Sequence, residues 1–192
     1  MNTLSKAIIQ KLVSLNNTTN DTEDLFVYYY GMECFLNNMF AFSVIIIFSI
    51  ITNCFFETIV FLIMFILLRH HEGGYHAPTN SLCLFFSITI GISVRLLLKC
   101  STFILQYNYQ LLILSFLICL FLAPIDSTKI KLNQKQKLQE KLFALGIIIL
   151  AALLSLFIPT NYSISLISSI TIVHLLLITA YIKHAAHHLH II

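Results

Sequence analysis

The sequence predicts an all-α fold, a polytopic transmembrane helical bundle of 5 to 6 spans with an N-terminal amphipathic helix. Apolar residues make up 58% of the 192 residues and charged residues only 10%, whereas a soluble domain carries about 25% charged residues. The apolar residues form runs long enough to cross a bilayer, which takes about 20 residues of helix. These runs lie near residues 39–68, 79–98, 109–125, 142–158 and 163–182.

We expect a single membrane domain over residues 1–192. Amphipathic and interfacial helices should occupy residues 1–38, the transmembrane bundle residues 39–182 and a histidine-rich tail residues 183–192. In residues 1–17, apolar side chains recur at helical spacing opposite serine, lysine and glutamine. That pattern is typical of a helix lying on a membrane surface or on the protein itself. It lacks the apolar core and cleavage site of a signal peptide, so we expect it to be retained.

The first apolar run, residues 39–68, is about thirty residues long, whereas one span needs about 20. The polar residues near Asn53 allow either one long tilted helix or a hairpin of two short helices, and we favour the tilted helix. A single helix would place the N-terminus outside the cell, and a hairpin would return it to the cytoplasm. Glu57 should face the protein interior, where it could pair with Arg69 or Arg95.

The orientation of the bundle follows from its densest positive loop. Positively charged loops remain in the cytoplasm. Counting spans back from this loop puts residues 69–77 on the same side, and counting forward puts the C-terminus there. The loop contains Lys129, Lys131, Lys135, Lys137 and Lys141.

Residues 69–83 form a polar segment between two apolar runs, and they include the residues most suited to chemistry. Polar clusters embedded in a membrane are usually functional. A cysteine with a nearby imidazole is the minimum set for thiolate nucleophilic catalysis, and His76 and Cys83 offer this pair. The alternative is that Cys83 only packs in the bundle as a small buried apolar side chain.

Seven residues separate His76 from Cys83, which would place them about 10 Å apart along an unbroken helix. Proton transfer requires a bend, and Gly73 and Gly74 permit one. We therefore predict a loop over residues 75–77 and a helix that begins near Pro78. A cysteine close to that helix N-terminus and to an imidazolium is stabilised as the thiolate, which is the reactive form.

At these residues the chain resembles the accessory gene regulator B (AgrB) membrane endopeptidases of Gram-positive quorum sensing. Weaker similarity lies at residues 30–33 and at Ala123, Pro124 and Asp126. The most specific similarity is carried by Arg69, Gly73, Gly74, His76, Ala77 and Cys83.

The resemblance implies a cysteine endopeptidase that cuts a small AgrD-type precursor peptide and passes the acyl group to a substrate cysteine, which gives a cyclic thiolactone. We assign His76 as general base and Cys83 as nucleophile, with Arg69 and Gly74 shaping the site. Glu72 or Asp126 could orient His76. Such precursors carry an acidic C-terminal tail, which the lysine loop could hold through Lys129, Lys131, Lys135 and Lys137, although positive-inside bias also explains these lysines.

Expected partners are the amphipathic AgrD-like peptide, membrane lipid and a second copy of the chain in a homodimer. Nucleic acid is not expected. We predict no cofactor and no metal site, and we expect Cys34, Cys54, Cys100 and Cys119 to be packing residues.

Two other classes of function remain open from the sequence. One is a small transporter or channel lined by Glu57, Arg95 and His174. The other is a non-catalytic metal-binding membrane protein, for which His184 and His188 have helical ligand spacing.

Overall fold

The computed structural model describes residues 7, 8, 11, 22–74, 79–125 and 133–189. Within these ranges all regular structure is α-helical, which confirms the predicted all-α bundle. The helices in chain order are α1 (Thr22–Ile51), α2 (Phe55–Glu72), α3 (Asn80–Lys99), α4 (Ser101–Gln106), α5 (Asn108–Leu122), α6 (Gln134–Leu154) and α7 (Thr160–Leu189).

Helix α7 is the centre of the bundle. It packs most extensively on α2 and α5, and it also contacts α3, α4 and α6. Every residue from 163 to 170 is buried. Four of these residues are serines, whose small side chains let neighbouring helices approach closely. One of them, Ser169, donates its hydroxyl to the Phe61 carbonyl of α2 at 3.0 Å.

The chain turns between α1 and α2, so the favoured single helix over residues 39–68 is wrong. Asn53 adopts a left-handed conformation with φ of 54°. The amide of Cys54 donates to the Ser49 carbonyl at 2.9 Å, and the amide of Asn53 donates to the Ile50 carbonyl at 3.2 Å. These two bonds form a Schellman motif, which ends a helix at a residue that tolerates positive φ. The chain therefore follows the two-helix alternative.

Among the residues that the structure describes, three helical segments are long and apolar enough to cross a membrane: Gly31–Ile51, Ser81–Lys99 and Thr160–Lys183. This number is smaller than the five to six spans predicted. Asn108–Leu122 is a shorter apolar helix. Large apolar side chains such as Phe121 and Phe157 are exposed on the bundle, as expected for a surface that meets lipid.

The structure describes only part of the two ends of the chain. Helix α1 includes the later part of the interfacial region predicted over residues 1–38, and it continues past residue 38 without a break. The predicted amphipathic helix over residues 1–17 lies outside the described residues, apart from residues 7, 8 and 11. The histidine side chains of the tail, from His184 onward, also lie outside the described part.

Two helix ends lie next to proline residues. Helix α5 ends at Leu122, two residues before Pro124, and α7 begins directly after Pro159. Proline cannot continue a helix that precedes it, but it is accepted where a helix begins.

Candidate functional site

The C-terminal end of α2 leads into a turn that only glycine accommodates well. The amide of Gly73 donates to the Arg69 carbonyl at 3.2 Å, which closes the last turn of the helix. Gly73 has φ of 74° and Gly74 has φ of 128°, a range that side chains with a Cβ rarely adopt. A Cβ on Gly73 would lie 2.9 Å from the Ile125 carbonyl oxygen, and one on Gly74 would overlap the Arg69 guanidinium.

The segment after α5 holds this turn in place. The amide of Ile125 donates to the Glu72 carbonyl at 3.1 Å. The bond joins the end of α2 to residues 123–125, so the Ala123–Pro124 motif lies beside the glycine pair. Two motifs about fifty residues apart in sequence therefore meet at one end of the bundle.

A second tie joins α2 to the start of α6. His71 Nδ1 lies 2.6 Å from Glu140 Oε2, and the His71 ring stacks on Phe143 with centroids 5.5 Å apart. On α6, Lys135 is exposed and lies near the helix start. The lysine-bearing first turns of α6 therefore lie at the same end of the bundle as Arg69.

Arg69 follows the apolar residues of α2 and points back over the turn. Its Nη1 atom lies 3.5 Å from the Gly73 carbonyl oxygen. Its side chain is partly buried and interacts electrostatically with Cys83. Arginine remains protonated in proteins even when its pKa falls somewhat. Arg69 is thus a positive charge that interacts electrostatically with Cys83.

Cys83 lies on the first turn of α3. Thr79 caps this helix, because its hydroxyl oxygen accepts from the Leu82 amide at 3.3 Å, and the Cys83 amide donates to the Thr79 carbonyl at 3.0 Å. The predicted helix start near Pro78 is thereby confirmed, since α3 begins at Asn80. The Cys83 side chain is half-buried. Both the N-terminus of α3 and the charge of Arg69 therefore act on Cys83.

His76 belongs to residues 75–78, which lie outside the described residues. The predicted loop over residues 75–77 and the role of His76 therefore stay predictions. Asp126, Lys129 and Lys131 also lie outside the described part. Gly74 and Thr79 are described on either side of these residues.

The predicted pairing of Glu57 with Arg69 is wrong. Glu57 lies in the first turn of α2 and Arg69 in its last turn. Twelve residues of helix separate their Cα atoms by about 18 Å.

Sequence reasoning missed a buried cluster formed by Glu72, Cys119 and His174. All three side chains are buried, and their ligand atoms lie within 4.8 Å of one another. His174 interrupts the apolar residues of α7, and an ionisable residue at membrane depth is a signal of function. The sequence could not show that they meet, because they lie on α2, α5 and α7. Glu72 points into this cluster, and its predicted role toward His76 stays a prediction.

Comparisons with known proteins agree with the motif at the end of α2. The family described as Accessory gene regulator B matches residues 5–182. Protein FsrB of Enterococcus faecalis is 26% identical over 140 residues, covering 68% of this chain and 57% of FsrB, so the chain spans little more than half of that relative. Accessory gene regulator protein B of Staphylococcus saprophyticus is 25% identical over 146 residues, covering 76% of this chain and 77% of the relative. No solved structure matches. Because the family match covers most of its length, the chain belongs to the Accessory gene regulator B family.

Proposed function

We propose that this protein is a membrane cysteine endopeptidase that processes an AgrD-type quorum-sensing precursor peptide. The observation that carries the proposal is the electrostatic interaction of the Arg69 guanidinium with Cys83, which lies on the first turn of α3. A positive charge and a helix N-terminus next to a half-buried cysteine favour the reactive thiolate. Family membership supports the precursor peptide as the substrate class.

In the proposed reaction, His76 removes the proton from the Cys83 thiol. The thiolate attacks the carbonyl carbon of the scissile peptide bond, and the C–N bond breaks. The leaving amine takes the proton from His76, and the remaining peptide stays on Cys83 as a thioester. Arg69 and the amides at the start of α3 can stabilise the negative charge that develops on the carbonyl oxygen.

We further propose that a cysteine of the bound substrate, and not water, resolves this thioester. Its thiolate attacks the acyl carbon, a thiolactone forms and the Cys83 thiolate is released. Transfer of an acyl group from one cysteine thiol to another is nearly isoenergetic, so the step needs no ATP. A site at the membrane edge can exclude water while it holds the two groups together, which makes the exchange effectively intramolecular.

The cyclisation is tested by incubating the purified protein with precursor and with a precursor whose cysteine is changed to serine, followed by hydroxylamine. We expect a cyclic product from the native precursor that hydroxylamine opens, because hydroxylamine cleaves thioesters. The serine precursor should instead leave acyl-enzyme. Mass spectrometry distinguishes these species. A linear product from the native precursor, with neither ring nor adduct, would leave a plain protease.

We propose that α1 and α2 cross the membrane separately. Counting back from the lysine loop with this extra crossing gives six spans in all and places both chain ends and the Arg69 end of α2 in the cytoplasm. The exposed apolar side chains around the bundle support lipid contact. A homodimer remains part of the proposed assembly.

The lysine loop should help to hold the acidic tail of the precursor. The tie between His71 and Glu140 supports this proposal, because it brings the start of α6, which carries Lys135, beside α2. We expect a triple variant with Lys129, Lys131 and Lys135 changed to Gln to bind precursor several-fold more weakly, with less dependence on salt, because screened charge attraction is lost.

The measurement is peptide binding at two salt concentrations, with Lys99→Gln as the matched control, since Lys99 ends α3 at the other end of that helix from Cys83. Topology reporters must show unchanged insertion. Wild-type binding by a correctly inserted triple variant would leave the lysines with an orienting role only.

A further inference from the structure

We propose that Glu72, Cys119 and His174 bind a zinc ion in the interior of the bundle. The three residues come from α2, α5 and α7, and each is at most 1% exposed. Carboxylate, thiolate and imidazole are three of the ligand types that zinc uses in proteins. This proposal departs from the sequence prediction of no metal site and of Cys119 as a packing residue. It is independent of the proposed peptidase chemistry.

The distances fit a tetrahedral ion. Glu72 Oε1 and His174 Nε2 lie 3.3 Å apart. Oxygen and nitrogen ligands bound at about 2.0–2.2 Å with tetrahedral angles lie roughly 3.3–3.6 Å from each other. All the ligand atoms of the cluster are within 4.8 Å, so a movement of roughly 1 Å brings the farthest pair into the range that zinc–sulfur bonds of about 2.3 Å require.

His174 is oriented as a metal ligand. Its Nδ1 atom lies 2.7 Å from the Ile170 carbonyl oxygen. A carbonyl only accepts hydrogen bonds, so Nδ1 carries the proton and donates it. In the neutral ring, Nε2 then has a free lone pair that faces Glu72. Histidines that bind metals commonly have their other nitrogen held by a backbone carbonyl in this way.

The polar atoms of the cluster lack the partners that burial demands. Among the described residues, neither carboxylate oxygen of Glu72 nor Nε2 of His174 has a hydrogen bond of good geometry. The 3.3 Å approach between them is close in distance but not aligned. The Cys119 thiol also faces the carboxylate, but a thiol is a weak donor. Buried polar atoms without partners are costly, and one cation would satisfy all three residues.

The charges of a zinc complex would balance. One carboxylate, one thiolate and one neutral imidazole around Zn²⁺ give a net charge of zero, which suits an apolar interior. On coordination, the Cys119 thiol releases its proton to solvent and binds the ion as a thiolate. The main competing arrangement is a protonated Glu72 that donates to His174 Nε2 and accepts only a weak hydrogen bond from the Cys119 thiol.

Three protein ligands leave the fourth tetrahedral position to a water molecule; because the three ligands are buried, we assign the ion a role in holding the helices together. Glu72 directly precedes the glycine turn and lies three residues after Arg69. A metal that joins the end of α2 to α5 and α7 would fix the position from which Arg69 reaches Cys83. Structural zinc sites contribute directly to the stability of a fold.

The test uses full-length protein purified in detergent, with His184, His187, His188 and His190 changed to Gln so that the tail cannot bind metal. Zinc content and the visible spectrum after loading with Co²⁺ are measured. We expect about one zinc per chain and a thiolate-to-cobalt charge-transfer band. Cys119→Ser should abolish the band, and Glu72→Gln should weaken zinc affinity by ~10-fold or more. Cys54→Ser is the matched control, because Cys54 is buried but lies outside the cluster.

The proposal is overturned if the tail-substituted protein binds less than about a tenth of an equivalent of zinc and shows no cobalt band. It is equally overturned if Cys119→Ser keeps the band while Cys54→Ser loses it. Since the parent protein is itself measured, a variant that fails to fold does not leave the question open. Precursor cleavage plays no part in these readouts, so loss of the peptidase proposal would not affect them.

Discussion

Cys83→Ala should abolish processing of the precursor peptide, with a loss of at least about 10⁴-fold, because removing the nucleophile removes covalent catalysis altogether. His76→Ala should have an effect of similar size. Cys83 is half-buried at the start of α3, so alanine opens no large cavity there, and abundance and membrane insertion should stay unchanged. Mass spectrometry of peptide products from cells that co-express the precursor measures the effect.

The matched controls are Cys34→Ala and Cys100→Ala, which remove one thiol each outside the candidate site. Cys34 is half-buried and Cys100 is exposed, and both variants should process the precursor at the wild-type rate. A Cys83→Ala protein that still released the product would refute the assignment of the nucleophile. Immunoblots of membrane fractions must show equal amounts of each variant.

Gly74→Ala should lower the processing rate by roughly 100-fold, because it disturbs the turn that positions Arg69. Gly74 has φ of 128°, and an added Cβ would overlap the Arg69 guanidinium. The backbone strain alone costs about 1–3 kcal/mol. The larger effect comes from moving the guanidinium away from Cys83, since a displacement of about 1 Å in a catalytic site can cost about 10²-fold.

Gly146→Ala is the matched control for this variant. Gly146 lies in α6, and a Cβ there meets nothing within 4 Å, while alanine favours the helix. This control should retain full activity and equal or greater stability. Wild-type processing by Gly74→Ala would show that neither the turn nor the position of Arg69 matters to the reaction.

Much of the fold follows from the sequence because apolar runs and proline positions define helices directly. The predicted spans near residues 79–98 and 109–125 correspond closely to α3 and α5. The break at Asn53 is harder to predict, because the residues around it are as apolar as those of a continuous helix. The two bonds of the Schellman motif decide it.

The candidate site also has features that the sequence predicts and contacts that it does not. Local features, such as the glycine turn and a helix beginning just after Pro78, can be predicted because they depend on backbone preferences of a few residues. The contact of Ile125 with Glu72 and the cluster around His174 depend on how α2, α5 and α7 pack. No residue spacing in the sequence indicates these contacts, so the sequence predicts Cys119 to be only a packing residue.

The central claim is that Cys83 forms a thioester with the precursor, and intact-protein mass spectrometry tests it most directly. Purified protein is mixed with a precursor whose capturing cysteine is serine, quenched in acid and digested. We expect a mass increase equal to the N-terminal peptide fragment, located on Cys83 and removed by hydroxylamine. Precursor cleavage without any adduct on Cys83, or with the adduct on another residue, would contradict it.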